Sequence, residues 1–370
     1  MRKRYIPNPF GQVSRRRRPF APQRRRAAVL VLVLVVFAVL SLLSLGLCHR
    51  VRLDLMRDRM QAEDLQSYYL ALGGLQRAMA ALAEGSQAQE EGPIDHFGSP
   101  WHLRTTAREE GFFQEQPPAW LSRTQLYYRV TDEEGRLNVN TSSPAGWMHL
   151  PSMTEPILYA IVDWQDTDDQ ACPQGAESVY YQRSPLRHAA KNAPITVIWE
   201  LALVKDVAWP LLCGRNIGGG PSWTQSETGD MAGQAADADT GRPERGLIDY
   251  FTVYGDGKVN LNTADFEVLS SLPDIGTRTA QAIVGYRAGP DGVAFTPDDA
   301  HFKSFKQLAR VPGLTPYHVE LLEQYGTFGS THFRIVSEAT LRPGGRPCRL
   351  IATARRGQDG VKLVLIRRDS

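Results

Sequence analysis

Cysteine is scarce: four in 370 residues, too few to suggest a disulfide framework. Cys48 falls inside an apolar run, which leaves an odd number elsewhere. Cys172 and Cys213 lie in the same helical, loop-rich stretch and are expected to pair, whereas Cys348 sits in a strand-like run and is expected to be free. The usual marks of catalysis are missing as well. No His-Glu-x-x-His, Gly-x-Ser-x-Gly or Walker sequence occurs, and the histidines are scattered; His301 and His318 have no evident nucleophile partner and read as exposed or structural. An enzyme is not expected. Acidic residues are absent from residues 1–26, which carry ten Lys or Arg. The whole chain has a formal charge of +2, and without those ten positive charges −8 remains, so the basic character belongs to the leader and the rest is not a polyanion binder by charge.

Charge is absent from residues 27–48, which run from Ala27 through Leu47 to Cys48 directly after Arg24-Arg25-Arg26. At ~1.5 Å per residue this segment spans the ~30 Å of a bilayer's hydrocarbon core. The cationic leader stays on the cytoplasmic side, so the rest of the chain lies outside. The run is longer than a secretory h-region, no small-residue cleavage site follows it, and Leu47 is too large for the position before a lipoprotein cysteine. Proline is absent from 23–92, and apolar residues recur at Leu65, Tyr68, Leu72, Leu75, Met79 and Leu82 in alternating steps of three and four. The pattern predicts one helix over 28–85, about 87 Å long, apolar all round in its first half and amphipathic in its second. It suits either a membrane stalk packed on its own domain or a filament subunit whose apolar half packs among related helices.

Beyond the helix, residues 86–100 read as a linker, and 101–140 contain strand-like runs such as Leu126-Tyr127-Tyr128-Arg129-Val130. Residues 150–212 look helical and loop-rich, with Trp164, Trp199 and Trp209 as candidate core. Residues 214–246 have little apolar content and read as a mobile loop. Residues 263–326 are helical again, and 332–370 return to strands, which most simply join the early strands in one sheet packed on the helix. A weak internal repeat links Asn138-Val139-Asn140-Thr141 to Asn260-Leu261-Asn262-Thr263, whose side chains are expected to cap the following helices. The second copy continues as Leu272-Pro273-Asp274-Ile275-Gly276, which resembles a helix-hairpin-helix, with a second hairpin-like element at Val311-Pro312-Gly313. In nucleic-acid readers the amides of a Gly-x-Gly hairpin meet phosphate. Here Asp274 takes the first glycine's place and would repel it, which favours a packing module.

Taken together, the Arg-rich leader and apolar helix, Asp132-Glu133-Glu134-Gly135-Arg136-Leu137-Asn138-Val139-Asn140, Asp163-Trp164-Gln165-Asp166-Thr167-Asp168, Gly175-Ala176-Glu177, Asn192-Ala193-Pro194, Trp199-Glu200-Leu201 and the Asn260 module resemble the minor pseudopilin K family of bacterial type II secretion, from about Arg24 to the end. The resemblance implies an α+β, pilin-like fold: a long N-terminal transmembrane helix packed on an antiparallel sheet, with a large inserted helical domain containing helix-hairpin-helix/SAM-like units. The corresponding divisions are a prepilin leader 1–27, the helix 28–85, a first sheet part 86–140, an inserted subdomain 141–258, a second helical subdomain 259–329 and closing strands 330–370. It implies cleavage by a prepilin peptidase between Ala27 and Ala28, although Ala27 stands where such peptidases usually take Gly. Leu32 becomes the fifth mature residue, where major pilins carry a Glu suited to pairing with a neighbour's N-terminal amine.

An apolar Leu32 and a bulky insert both suit the tip of a short filament in the bacterial inner membrane, N-terminus cytoplasmic and globular part periplasmic. The implied partners are the I- and J-class minor pseudopilins, the major pseudopilin, the peptidase and membrane lipid, and no nucleic acid. Asp163, Asp166, Asp168 and Glu177 offer hard oxygen ligands suited to calcium, which relatives are thought to bind in this domain, or form a solvated acidic loop with Asp163 as a helix cap. Asp291, Asp298 and Asp299, in a stretch found in only some relatives, form a second candidate set. The alternative reading is a membrane-anchored helix-hairpin-helix DNA receptor.

Overall fold

The computed structural model describes residues 23–86, 93–102, 124–185, 187–214, 245–294, 296, 298–342 and 345–369. Residues 1–22 of the expected leader and 215–244 of the expected mobile loop lie outside this set. Helix α1 runs from Gln23 to Ser86. Up to Glu63 it forms a unit of its own, in which Val29 through Leu47 present large apolar side chains to the surroundings, from Val33 at 43% to Leu45 at 73% exposed. Among the described residues it is the one helix long and apolar enough to cross a membrane. Its backbone groups are satisfied internally, as hydrocarbon demands.

From Asp64 onward the chain forms the second unit. The elements after α1 are β1 (Gln125–Asp132), β2 (Leu137–Asn138), α2 (Pro144–Trp147), α3 (Glu155–Gln165), α4 (Ser178–Arg183), α5 (Trp209–Cys213), β3 (Phe251–Thr252), β4 (Val259–Asn260), α6 (Phe266–Ser270), α7 (Gly276–Arg287), α8 (Phe305–Leu308), α9 (Pro316–Tyr325), β5 (Gly326–Thr327), β6 (His332–Thr340), β7 (Cys348–Gly357) and β8 (Gly360–Asp369). An antiparallel sheet in the order β1-β6-β7-β8 carries the end of α1 on one face. Residues of β6 alternate between buried and half-buried along its whole length, the period-2 signature of a strand with one face on a core. Leu75, Ala78, Ala81 and Leu82 of α1 pack with Tyr128, Val130, Phe333, Ile335, Ala352 and Ala354. Everything between β1 and β6 is an insertion, with a core of its own that includes Trp147, Ile161, Phe251, Leu261 and Ile283.

The buried face of α1 is rotated from the large-residue stripe read in the sequence. Leu65 is 56% exposed, and Leu72 and Met79 are only half-buried. The deepest positions are Ser67, Ala71, Gly74, Leu75, Ala78, Ala81 and Leu82. The reason is close approach: a Cβ on Gly74 would overlap Ser337 Oγ of β6. Small residues let the helix backbone lie down on the sheet, and larger ones flank the contact. The tryptophan reading also needs correction. Trp164 is buried, Trp199 is half-buried, and Trp209 is 49% exposed, stacked on Trp199 with ring centroids 5.5 Å apart.

The internal repeat is present atom for atom, with a role different from the capping expected of it. Asn138 Oδ1 accepts from Asn140 N at 3.0 Å, and Asn260 Oδ1 accepts from Asn262 N at 3.0 Å. Asn140 then clamps Ile195, accepting from its N–H at 2.8 Å and donating to its carbonyl at 3.0 Å. Asn262 clamps Phe302 in the same way, at 2.8 and 2.9 Å. Each copy also opens a short parallel pair, β2 with β3 and β4 with β5. Among the described helices none is capped by these side chains; α6 starts at Phe266, with Asp265 in its N-cap position. The asparagines fasten distant loops to the parallel pairs, a task that needs one donor and one acceptor on a short stem. Replacing Asn262 by Ala strands both backbone groups of Phe302 in a buried site. The expected loss is about 2–4 kcal/mol of unfolding free energy, read from urea denaturation of the two proteins in parallel.

Candidate functional site

Three places in the chain bear on function. At the N-terminus, Ala27 and Ala28 lie on the helical backbone of α1, where their side chains fall outside the described set, and Leu32 projects 63% exposed from the apolar rod.

The second place joins sheet and insertion. Asp132 ends β1, and with Glu133 and Glu134 it is buried. Asp132 Oδ2 accepts from Asn260 Nδ2 at 2.9 Å, Thr263 Oγ1 at 2.7 Å and Ser330 Oγ at 2.6 Å. Burial and the neighbouring Asp95 carboxylate push its pKa up to about 7, against those donors. Glu133 accepts from Arg334 at 2.6 Å, Arg136 at 2.9 Å and Thr252 at 2.6 Å. These partners outweigh burial and hold its pKa near 2, so it stays ionised. Asp95 takes Trp101 Nε1 at 2.9 Å, Ser330 N at 2.8 Å and the Arg356 guanidinium. It was not singled out in the sequence, because nothing local marks an aspartate in a linker as the partner of an arginine some 260 residues away.

The third place is acidic. Asp163 lies in the last turn of α3, Asp166 follows that helix's end, and Glu177 immediately precedes α4. One carboxylate oxygen from each falls within 4.8 Å of the other two. Asp163 is fully buried and partly satisfied, accepting from Ala176 N at 2.7 Å and from Cys172 N at 3.1 Å. By contrast, both oxygens of Glu177 and Oδ1 of Asp166 are buried without a hydrogen-bond partner. Burial first, then Asp166 and Asp163, push the Glu177 carboxyl up to about 7; burial and Asp168 raise Asp166. Three converging carboxylates, two of them with unpartnered buried oxygens, are unstable as a bare trio and fit a hard cation with oxygen ligands.

Asp168 turns away, accepting from Gln170 N at 2.8 Å. Its main-chain carbonyl accepts from Asn192 Nδ2 at 2.5 Å, leaving Asn192 Oδ1 buried and unpartnered beside the cluster's loop. That oxygen is a candidate missed by counting carboxylates alone; the left-handed φ of +47° at Asn192 turns its loop. Gly175 completes the cradle, because a Cβ there would occupy the position of Asp163 Oδ2.

Cys172 and Cys213 are free thiols rather than the expected pair. The Cys172 thiol meets Asp163, which pushes its pKa up to about 11, while Cys213 is buried at the end of α5 near Asp249 and Arg367. The two belong to different neighbourhoods. In the other acidic set Asp298 contacts Asp291, and loop hydroxyl and amide groups already occupy the carboxylates. Thr296 Oγ1 donates to Asp298 Oδ1 at 2.7 Å and to Asp299 Oδ1 at 3.3 Å, and Asp291 Oδ1 accepts from Val293 N at 2.8 Å. Among the described residues only Asp163, Asp166 and Glu177 gather in the way a cation needs. His301 stacks flat on His96 with centroids 3.8 Å apart, and His318 shares reciprocal bonds with Thr315 at the start of α9. Both roles are structural.

Residues 147–211 match the family model for type II secretion system protein K, and residues 255–326 match a helix-hairpin-helix motif. The type II secretion system protein K of Pseudomonas aeruginosa is 27% identical over 365 residues, covering 93% of this chain and 92% of its own. The fold matches a chain in the crystal structure of the GspK–GspI–GspJ complex from enterotoxigenic Escherichia coli, with a TM-score of 0.55 at 14% identity, covering 85% of this chain and 99% of that one. The chain is thus similar to type II secretion system protein K over nearly its whole length, and residues 147–211 carry that family's own segment. The K-family segment at 147–211 contains the whole acidic cluster, and the helix-hairpin-helix segment begins at the second copy of the repeat.

Within the K-family segment, Gly175 has a sharp consequence. Substituting Ala there forces the Asp163 carboxylate out of its amide cradle, and the expected cost is about 1–3 kcal/mol. Thermal and urea unfolding of the Gly175→Ala protein measure it.

Proposed function

We propose that this chain is the minor pseudopilin at the tip of the type II secretion pseudopilus, a structural part of the machinery that exports folded proteins across the outer membrane, and not an enzyme. The observation that carries this reading is the combination of a K-family insert with a helix that leaves a bare apolar rod and then packs on a four-stranded sheet. A rod exposing that much apolar surface needs lipid or other apolar helices around it. It can reside in the inner membrane first and among sister helices afterwards, with the N-terminus in the cytoplasm and the globular part in the periplasm.

The fifth residue after the Ala27–Ala28 bond is the apolar Leu32, which offers no carboxylate to a neighbour's amine. A subunit built this way inserts in the stack and ends it. The I- and J-class pseudopilins are the expected companions; the E. coli fold neighbour comes from a complex that joins K to I and J.

The acidic cluster serves as a calcium site, with Asp163, Asp166 and Glu177 as its carboxylates. A bound calcium ion supplies the positive charge that three crowded carboxylates lack, and the chain's own residues tie the end of α3 to the start of α4 around it. The orphaned Glu177 and Asp166 oxygens support this reading.

Two measurements test the proposal. Co-expression with the matching prepilin peptidase, followed by N-terminal sequencing, is expected to yield a product starting at Ala28, and an intact leader after co-expression counts against it. Full-length protein is also expected to co-purify with the I- and J-class pseudopilins; salt-sensitive DNA binding with no such association would instead favour the receptor reading. For the cation, calcium at 100 times its Kd is expected to stabilise the protein by ~2.7 kcal/mol. Glu177→Gln is expected to remove most of that gain, and an unchanged melting temperature on adding calcium would refute the site.

A further inference from the structure

The sheet ends at β8, which has β7 alone beside it among the described strands. Leu363, Val364, Leu365 and Ile366 follow one another along it, each 38–50% exposed. A register shift opposite Thr353 and Ala354 places Leu365 across from Thr353 and Leu363 across from Ala354, so Val364 has no counterpart in β7. The four side chains therefore divide between both faces. Ile366, opposite Ala352, lies on the α1 side, while Leu365 and Arg367 lie on the other. There the Arg367 guanidinium sits 4.3 Å from the Trp199 ring centre, and Trp199 stacks on the half-exposed Trp209. The apolar strip thus continues from the strand onto the insertion.

Proteins usually guard such edges with charge, proline or a covering element. In β8 the charges flank the apolar four and do not interrupt them: Lys362 precedes, and Arg367, Arg368 and Asp369 follow. An edge strand's outward backbone groups are matched by another strand, with side-chain contacts on alternate faces supplying selectivity. We propose that β8 is the docking edge for an extended, acidic strand of another protein, which joins the sheet beside it and covers Leu363–Ile366.

Charge disfavours a second copy of this chain as the occupant. Antiparallel self-pairing that sets 363 against 366 and 364 against 365 also sets Lys362 against Arg367, twice. Like charges directly opposed across strands are destabilising, and acidic residues at those places turn both clashes into attractions. The proposal rests on the sheet edge alone and is independent of the secretion reading.

The test uses full-length protein in detergent micelles. The probe is a fluorescein-labelled decapeptide of alternating valine and glutamate, compared with the same peptide carrying lysine in place of glutamate. The expected result is saturable anisotropy, tighter for the glutamate peptide by about tenfold or more, with an isotope-edited amide I band that moves to the β-sheet position on binding. The double variant V364K/L365K is expected to weaken that binding by about tenfold or more, with circular dichroism and melting temperature unchanged. If that variant does not fold, Arg367→Glu replaces it and is expected to erase the preference for glutamate over lysine. No saturable binding, or equal binding of both peptides by every variant, overturns the proposal. A concentration-dependent dimer abolished by the variant overturns it too, because the occupant would then be a second copy.

Discussion

The insertion of a whole helical domain between two neighbouring strands is the constraint around which this protein is built. Residues 132 and 332 belong to adjacent strands, with Glu133 N donating to His332 O at 3.0 Å, yet the entire insertion leaves and returns between them. A junction of that kind tends to splay unless its groups are tied on both sides. The chain ties it with buried carboxylates. Asp132 gathers Asn260 and Thr263 from the insertion and Ser330 from the segment that leads into the returning strand. Glu133 gathers Arg334 from the sheet and Thr252 from the insertion. Glu134 accepts from Thr331 N at 2.9 Å and His332 N at 3.1 Å. Three consecutive acids thus hold both ends of the detour, and each is matched with donors, without which burying them would be prohibitive.

Much of this architecture was legible in the sequence. The uncharged run at 27–48 with its cationic leader marked the apolar rod, and the strand-like runs at 126–130, 333–336, 349–354 and 362–366 all fall in the sheet. The phase of α1 was not legible. Hydrophobic periodicity weights large side chains, so it placed Leu65 and Leu72 on the buried stripe. The contact that decides the phase is a close helix–sheet approach at Ala71, Gly74 and Ala78, where having little side chain is what matters. Counting apolar residues misses an interface chosen for smallness.

The acidic cluster shows the same division. Asp163, Asp166 and Glu177 were visible as carboxylates close in sequence, and they converge. Asp168 was equally close and does not join them, because the chain leaves α3 at Asp166 in an extended conformation and Asp168 turns to cap its own loop at Gln170. Spacing alone cannot say which of several neighbouring acids points inward. The pairing expected of Cys172 and Cys213 failed for a related reason: sharing a subdomain says nothing about sharing a neighbourhood, and Cys172 is committed to Asp163.

The helix-hairpin-helix module is where likeness of motif and difference of use separate. Its backbone keeps the hairpin, with left-handed φ at Asp274 (+58°) and Gly276 (+66°). Its apolar residues Leu272, Ile275, Ala280 and Ile283 enter the core of the insertion. The cation at the end of α7 also turns inward. Arg287 is buried and donates to the carbonyls of Leu261 at 2.9 Å and Ala264 at 2.7 Å, so it clamps the repeat turn onto α7. At the hairpin tip, where phosphate would have to approach, stands the carboxylate of exposed Asp274. Arg287, for its part, is spent on the module's own backbone. The module has kept the geometry that makes two helices a compact packing unit, and the arrangement of its charges directs that geometry to holding the insertion together.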